Sequence, residues 1–280
     1  MPQDIVSQNQ IVVVPVKLFW PEAENLPGDN IFQKMREIEK RGIKSFGKTS
    51  QASMKDFLDA YKVQLAKFEK VLCFTLTSKL SGTFNSAVQA KKFLPAQDQG
   101  RVFVIDTLSG SGGQALLILR ALDLIKKQTE AEEIAKQLTE FLKQVRLVVM
   151  FEDAKWMEAA GRISPLVSLL IKSLAKVGIR PVLAVKDGVF APTGLKTGAK
   201  DLVDGLFNQF AADVKASKME DKKIRIVITH CDNLGGATRL QQMIEQKYGN
   251  IETAFINIIN NVVGGPAGPD SLALAYCPAE

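Results

Sequence analysis

The chain of 280 residues has a single histidine, His230, and only three cysteines, which are far apart (Cys73, Cys231 and Cys277). One histidine excludes metal sites that need two imidazoles, such as His-Glu-x-x-His zinc sites. Scattered cysteines without a Cys-x-x-Cys pair form no disulfide framework and indicate reduced thiols, as in a cytoplasmic protein. Carboxylates do not cluster at metal-ligand spacing, so we expect no metal site.

Long hydrophobic runs are also missing. The longest apolar stretches, such as residues 115–119 and 147–151, are too short to cross a bilayer, and residues 1–4 do not resemble a signal peptide. The net charge of +6 is modest, and the basic residues occur in pairs without interleaved aromatic residues. We therefore expect a cytoplasmic protein with no integral membrane association and no nucleic acid partner, whose mild positive charge favours anionic ligands.

The composition is that of an ordinary globular protein, and the length suits about two domains. Up to about residue 150, buried-looking strands alternate with helical patterns, which predicts an α/β domain with a mostly parallel sheet covered by helices. The predicted strands are residues 10–19, 70–76, 101–105 and 145–151. Two capping boxes, Ser53 with Asp56 and Thr129 with Glu132, indicate helix starts.

After about residue 150 the pattern changes. A break at residues 159–165 precedes an apolar helix, and Lys186-Asp187-Gly188 has the composition of a tight hairpin turn. Helices near 200–216 and 237–248, a strand at 224–229 and two final strand-like runs follow. This order predicts a second, α+β domain with a mixed or antiparallel sheet. We accordingly divide the chain into domains 1–150 and 151–280.

A polar turn at residues 78–83 (SKLSGT) lies between a predicted strand and a predicted helix. The carboxyl end of a parallel strand and the first turn of a helix together favour an anion. Ser81 and Thr83 add hydroxyl groups, and Gly82 permits a close approach to the backbone. The turn is also compatible with a capped helix start that binds nothing. A second hydroxyl-rich turn, residues 48–53, fits either an exposed loop or part of the same anion site.

Three other motifs have competing interpretations. Residues 110–115 match Gly-x-Gly-x-x-Ala, but their position favours a tight turn with close helix packing over dinucleotide binding. His230 directly follows a strand; a nucleophilic pair with Ser81 would make a hydrolase, although no Gly-x-Ser-x-Gly elbow is present. Arg162 fits either an anion contact or a surface arginine.

The order of these motifs resembles the DegV family of two-domain fatty-acid-binding proteins. The matching segments are TSQAS (49–53), SKLSGTFNSA (78–87), VIDTLSGSGGQ (104–114), AGRIS (160–164), GIRPVLAVKDG (178–188) and GGPAGPDSLAL (264–274). The resemblance implies a parallel-sheet domain and a second α/β domain with a fatty acid between them. It also implies no enzymatic activity in this chain and no cofactor, because a separate fatty acid kinase converts the presented acid into an acyl phosphate.

Carried over by position, Thr49 and Ser81 are the hydroxyl ligands of the carboxylate, with Ser50, Gly82 and Thr83 beside them. Arg162 and Lys196 are the residues expected to contact the head group or the kinase. The chain departs from the family pattern in four places. The first strand–helix unit is missing or divergent, Ala52 replaces a proline, Lys196 replaces an arginine, and Pro266 stands where the His-x-Gly-Pro-Gly motif has its histidine.

The sequence thus predicts a cytoplasmic carrier of a long-chain fatty acid. Two alternatives stay open at this point. One is a small-molecule hydrolase or phosphate-ester-handling enzyme that uses Ser81. The other is a degenerate member of the family that has lost its ligand.

Overall fold

A computed structural model describes residues 1–193, 199 and 201–279. By their internal contacts these residues form two compact units. Unit 1 comprises Met1–Lys17, Ser50–Val145 and Asp187–Val189, and unit 2 comprises Leu18–Thr49, Arg146–Lys186 and Phe190–Glu280. This grouping differs from a single cut at residue 150 because residues 18–49 belong with the C-terminal part. The division into domains 1–150 and 151–280 stays a prediction.

Unit 1 is built on two parallel strands, β3 (Val71–Thr75) and β4 (Val102–Asp106). Its helices are α1 (Gln3–Gln8), α4 (Met54–Leu65), α5 (Thr83–Lys92), α6 (Ala96–Gln99), α7 (Ser111–Lys126) and α8 (Ala131–Phe141), and a 3₁₀ turn follows at Leu142–Gln144. Phe57 and Tyr61 of α4 pack on Ala87 and Ala90 of α5, and Val102 of β4 completes this core. The order strand, helix, strand, helix is the predicted one.

Unit 2 contains a six-stranded mixed sheet. Its strands are β5 (Arg146–Met150), β6 (Leu183–Lys186), β7 (Val189–Pro192), β8 (Ile224–His230), β9 (Ile251–Ile258) and β10 (Leu272–Pro278). They lie in the order β7-β6-β5-β10-β8-β9, and the first residue of β7 is grouped with unit 1. β8 and β9 are parallel, whereas β10 runs antiparallel to both β5 and β8. The short strands β1 (Lys17–Phe19) and β2 (Lys48–Ser50) pair separately, and the division between the units falls within both.

The helices of unit 2 are α2 (Pro21–Glu24), α3 (Ile31–Lys40), α9 (Lys155–Ala159), α10 (Pro165–Ala175), α11 (Leu202–Ala216), α12 (Leu234–Lys247) and α13 (Asn261–Ala267). α11 and α12 cover one face of the sheet, where Phe210 of α11 meets Tyr276 of β10 edge to face at a centroid distance of 5.0 Å. No helix among the described residues combines the length and the apolar character that crossing a bilayer demands.

A cluster of aromatic rings explains why residues 18–49 group with the C-terminal part. Trp156 of α9 contacts the rings of Trp20 and Phe46 at centroid distances of 6.0 and 5.2 Å. The Trp20 indole Nε1 donates to Ser45 Oγ at 3.0 Å, so that the buried ring also satisfies its polar group. Gly268, after α13, packs directly against the Trp156 ring.

The structure confirms several local predictions. Ser53 caps α4 through a complete capping box with Asp56. Asp187 and Gly188 both have positive φ, 50° and 84°, as the tight turn between β6 and β7 requires. The apolar helix predicted after the break at residues 159–165 is α10, and Ser164 Oγ accepts from Val167 N at its start.

Three predictions are wrong. Of the strand predicted at 10–19 only β1 forms, since Pro15 lacks the N–H that a ladder needs. β5 does not extend the parallel sheet; it pairs antiparallel with β6 and β10. The prediction failed because an apolar run indicates that a strand is buried but not the direction of the neighbouring strands. Thr129 caps no helix: its amide donates to Leu124 O and closes α7, while α8 starts after Glu130 without a side-chain cap.

The capping box makes a pH-dependent contribution to stability. The Ser53 hydroxyl and then the Ser53 amide donate to Asp56 Oδ2, at 2.7 and 2.8 Å, and these bonds lower the pKa of Asp56. A carboxyl pKa that is lower in the folded than in the unfolded chain stabilises the fold at any pH above the unfolded value. This contribution is lost as the pH falls through the lowered pKa. We expect Ser53→Ala to raise the Asp56 pKa, measured by NMR titration, and to cost more stability at neutral pH than in acid.

Ser164→Ala is the matched control. Ser164 caps α10, but the third residue of that helix is Val167, whereas the third residue of α4 is an acid. The stability that Ser164→Ala removes should therefore not follow the titration of a carboxyl group. An unchanged Asp56 pKa in Ser53→Ala would contradict the assignment.

Gly268 and Gly161 test the aromatic cluster. Both have positive φ, 81° and 64°, so alanine is strained at either position, and the ψ of Gly268, 161°, adds to the backbone strain there. A Cβ at residue 268 would also overlap the Trp156 indole, 3.0 Å from Cγ, whereas nothing lies within 4 Å at residue 161. In urea unfolding we expect Gly161→Ala to cost about 1 kcal/mol and Gly268→Ala at least about 1 kcal/mol more. Equal costs would show that the indole contact has no energetic weight.

Candidate functional site

The candidate site is built where the two parallel strands of unit 1 end. Thr75, the last residue of β3, is in register with Asp106, the last residue of β4. The carboxyl ends of the two strands therefore lie side by side, and the chain leaves each strand through a polar loop, residues 76–82 and 107–110. In parallel sheets this edge is where ligands bind.

Hydrogen bonds hold the two loops together. Asp106 Oδ1 accepts from the amides of Ser78 and Leu108, both at 3.1 Å. Thr77 N donates to Ser109 O at 2.8 Å, and the buried Thr107 hydroxyl donates to Thr75 O at 2.7 Å. Asp106 therefore organises backbone amides at the end of the sheet.

Ser81 and Thr83 form a hydroxyl pair at the start of α5. Their oxygens lie 2.7 Å apart, and Ser81 Oγ also accepts from Thr83 N at 3.2 Å. Thr83 is buried and Ser81 is half-buried. Gly82, the N-cap residue of α5, has no side chain with which to cap the helix. The first turn thus offers hydroxyl groups and a helix N-terminus, which suit an anion.

Gln51 crosses from the other hydroxyl-rich turn to the same helix. Its Nε2 donates to Ser86 Oγ at 2.9 Å, and Ser86 is a buried residue in the first turn of α5. The Gln51 amide lies where a side chain of residue 82 would begin: a Cβ there would be 2.7 Å from Cδ and 2.9 Å from Nε2. The close approach that Gly82 permits is therefore made by Gln51. The sequence analysis missed this residue.

The remaining candidate residues are distributed over both units. Ser50, like residues 81–83, belongs to unit 1 and is exposed. Thr49 belongs to unit 2 and is half-buried. Arg162 also belongs to unit 2, where its guanidinium donates to Ala160 O at 3.1 Å. Lys196 lies outside the described residues.

The other motifs have structural explanations. Gly112 and Gly113 are buried in the first turn of α7, which confirms close helix packing for the Gly-x-Gly-x-x-Ala segment. His230 is the last residue of β8, and its Nδ1 accepts from Asn233 N at 3.1 Å. Burial lowers the pKa of His230, and Asp232 opposes this shift. The histidine is therefore a buried residue at a strand end.

Pro266 lies inside the short helix α13, next to buried Gly264 and Gly265. Among the described residues, no group of three His, Cys, Asp or Glu side chains is arranged to hold a metal ion. Burial raises the pKa of the Cys73 thiol to about 11 and also raises that of Cys231, so both are protonated at neutral pH and poor nucleophiles.

Comparison with known proteins identifies the family. A family model described as "Uncharacterised protein, DegV family" matches residues 1–279. The "Fatty acid-binding protein" of Thermotoga maritima is 28% identical over 278 residues, which cover 97% of this chain and 92% of that protein.

Two solved structures share the fold. One, "Fatty Acid Binding of a DegV family Protein from Thermus thermophilus", has a TM-score of 0.84 at 24% identity and covers 99% of this chain and 95% of that one. The other is the Streptococcus pneumoniae Fatty Acid Kinase (Fak) B3 protein loaded with linoleic acid, with a TM-score of 0.75 at 21% identity, covering 95% of this chain and 90% of that one. The match of the family model over 279 residues shows that this chain belongs to the DegV family.

Proposed function

We propose that the protein binds a long-chain fatty acid and holds its carboxylate at the start of α5. The observation that carries this proposal is the pair of hydroxyl groups, Ser81 and Thr83, at the N-terminus of α5, whose N-cap residue is Gly82. Ser50, the backbone of Gly82 and Thr83, and Thr49 supply the further contacts that we propose. The acyl chain is buried among aliphatic side chains.

Hydroxyl and amide donors suit a carboxylate that must leave water. An ionised carboxylate loses its hydration on binding and needs charge-assisted hydrogen bonds in return. The N-terminus of α5 adds a favourable dipole without requiring a buried lysine or arginine. Ser81 is hydrogen-bonded to the Thr83 hydroxyl rather than to a general base. This contact favours a role in binding over one as a nucleophile.

The acyl chain supplies most of the binding free energy. A chain of about 14 methylenes at about 0.8 kcal/mol each contributes roughly 11 kcal/mol before costs are subtracted. Association and ordering of the flexible chain remove several kcal/mol of this. The head-group contacts then decide which end of the lipid is held and whether an acid is preferred over a neutral lipid.

The relatives support a carrier that works with a kinase. The T. maritima relative is called a fatty acid-binding protein, and the S. pneumoniae neighbour takes its name from a fatty acid kinase. We propose that this chain is not an enzyme, needs no cofactor and presents its acid in the cytoplasm to a separate kinase. The kinase would transfer the terminal phosphoryl group of ATP to the carboxylate, giving an acyl phosphate and ADP. Arg162 and Lys196 are the proposed contacts for the head group or the kinase.

Replacing Ser81 tests the head-group assignment. Ser81→Ala removes one hydrogen bond to a charged group, worth about 1.5–3 kcal/mol, so hexadecanoic acid should bind roughly 10- to 100-fold more weakly. Hexadecan-1-ol has the same chain without the charge, and its affinity should change much less. Both affinities can be measured by displacement of a fluorescent fatty acid, with circular dichroism to verify folding.

Ser78→Ala is the matched control for Ser81→Ala. Ser78 is an exposed serine of the same loop whose backbone amide, not its hydroxyl, bonds Asp106. The affinity of Ser78→Ala for hexadecanoic acid should equal that of the wild type. If Ser81→Ala also binds hexadecanoic acid as tightly as the wild type, the carboxylate is held elsewhere.

A further inference from the structure

Gln51 has an exposed side chain that contacts the start of α5. Most of the residue is exposed, yet its amide reaches the half-buried surface of Gly82 and donates to the buried Ser86 hydroxyl. Exposed polar side chains usually contribute little to the free energy of unfolding. This one contacts Gly82, the N-cap residue of α5, and Ser86, in the first turn of the helix.

The contact joins two segments that are far apart in the chain. Gln51 directly follows Ser50, whereas Gly82 lies between Ser81 and Thr83, and the hydrogen bond spans 35 residues. Gly82 has an ordinary backbone conformation, with φ −74° and ψ 4°, so its lack of a side chain is needed for space rather than for backbone freedom. The Gln51 amide fills that space.

We propose that Gln51 is a positioning residue for the head-group site. By bonding Ser86 and covering Gly82, its amide fixes the spacing between the hydroxyl group of Ser50 and the hydroxyl pair of Ser81 and Thr83. This inference rests on the proposed function, because the hydroxyl groups are taken to hold a carboxylate. It adds the residue that sets selectivity for an acid over a neutral lipid of the same length.

The contacts of Gln51 favour positioning over direct ligation. Its Nε2 donates to Ser86 Oγ, and its amide lies against Gly82. Gln51 therefore acts through the groups that it places. A misplaced donor weakens a charge-assisted hydrogen bond because such bonds depend steeply on distance and angle.

The test compares Gln51→Met, which keeps the shape of the side chain but loses the amide, with Ser86→Ala, which removes the same hydrogen bond from the other side. Affinities for hexadecanoic acid and hexadecan-1-ol are measured for each variant and for the double variant. Loss of one neutral hydrogen bond should lower the acid-to-alcohol affinity ratio about two- to tenfold in each single variant. The double variant should be no worse than either one, since both remove one contact.

Gln89→Met is the matched control, because Gln89 is another glutamine of unit 1, and its side chain donates to Asn85 on its own helix. Its ratio should stay at the wild-type value. A merely structural role for Gln51 would lower the urea midpoint and leave the acid-to-alcohol ratio unchanged, and that result would overturn the inference. Should Gln51→Met not fold, Ser86→Ala alone decides by the same ratio.

The outcome for the wild type is read separately. If the wild type binds neither lipid, or does not prefer the acid, the proposed function fails before Gln51 is considered. If the wild type prefers the acid and both single variants keep that preference, only the positioning role fails.

Discussion

The parallel pairing of β3 with β4 is the constraint on which the candidate site depends. It brings Thr75 and Asp106 into register, so that two loops leave the sheet at the same edge. Asp106 and Thr107 then bind those loops to one another through backbone groups. Because α5 begins at the end of the first loop, the positions of Ser81 and Thr83 are set by the pairing of the strands and not by the flexibility of a surface turn.

The two ends of the proposed ligand make different demands on the protein. The acyl chain gives affinity without direction, since burial of methylenes is nearly independent of orientation. The carboxylate gives direction, because it binds only where donors are already placed. Hydroxyl groups at a helix N-terminus meet this demand with little charge of their own, and Gln51 holds the hydroxyl-rich turn that precedes α4 against α5.

Sequence alone was enough for features that depend on near neighbours. The box of Ser53 with Asp56 and the turn at Asp187 and Gly188 follow from residue type and spacing over two to four positions. Features that depend on residues far apart in the chain could not be predicted from the sequence. The sequence of β5 does not show that its neighbours are antiparallel, and nothing at Thr129 shows that its amide is used to close α7. The bond from Gln51 to Ser86 belongs to this class; the only local signal was a long polar residue next to two hydroxyl groups.

The central claim is that this chain carries a long-chain fatty acid, and native mass spectrometry of the purified protein with lipid extraction of the same sample tests it most directly. The account predicts one bound mass per chain that is released on denaturation and identified as a fatty acid. A protein that is purified without ligand and stays so after incubation with several fatty acids would contradict it.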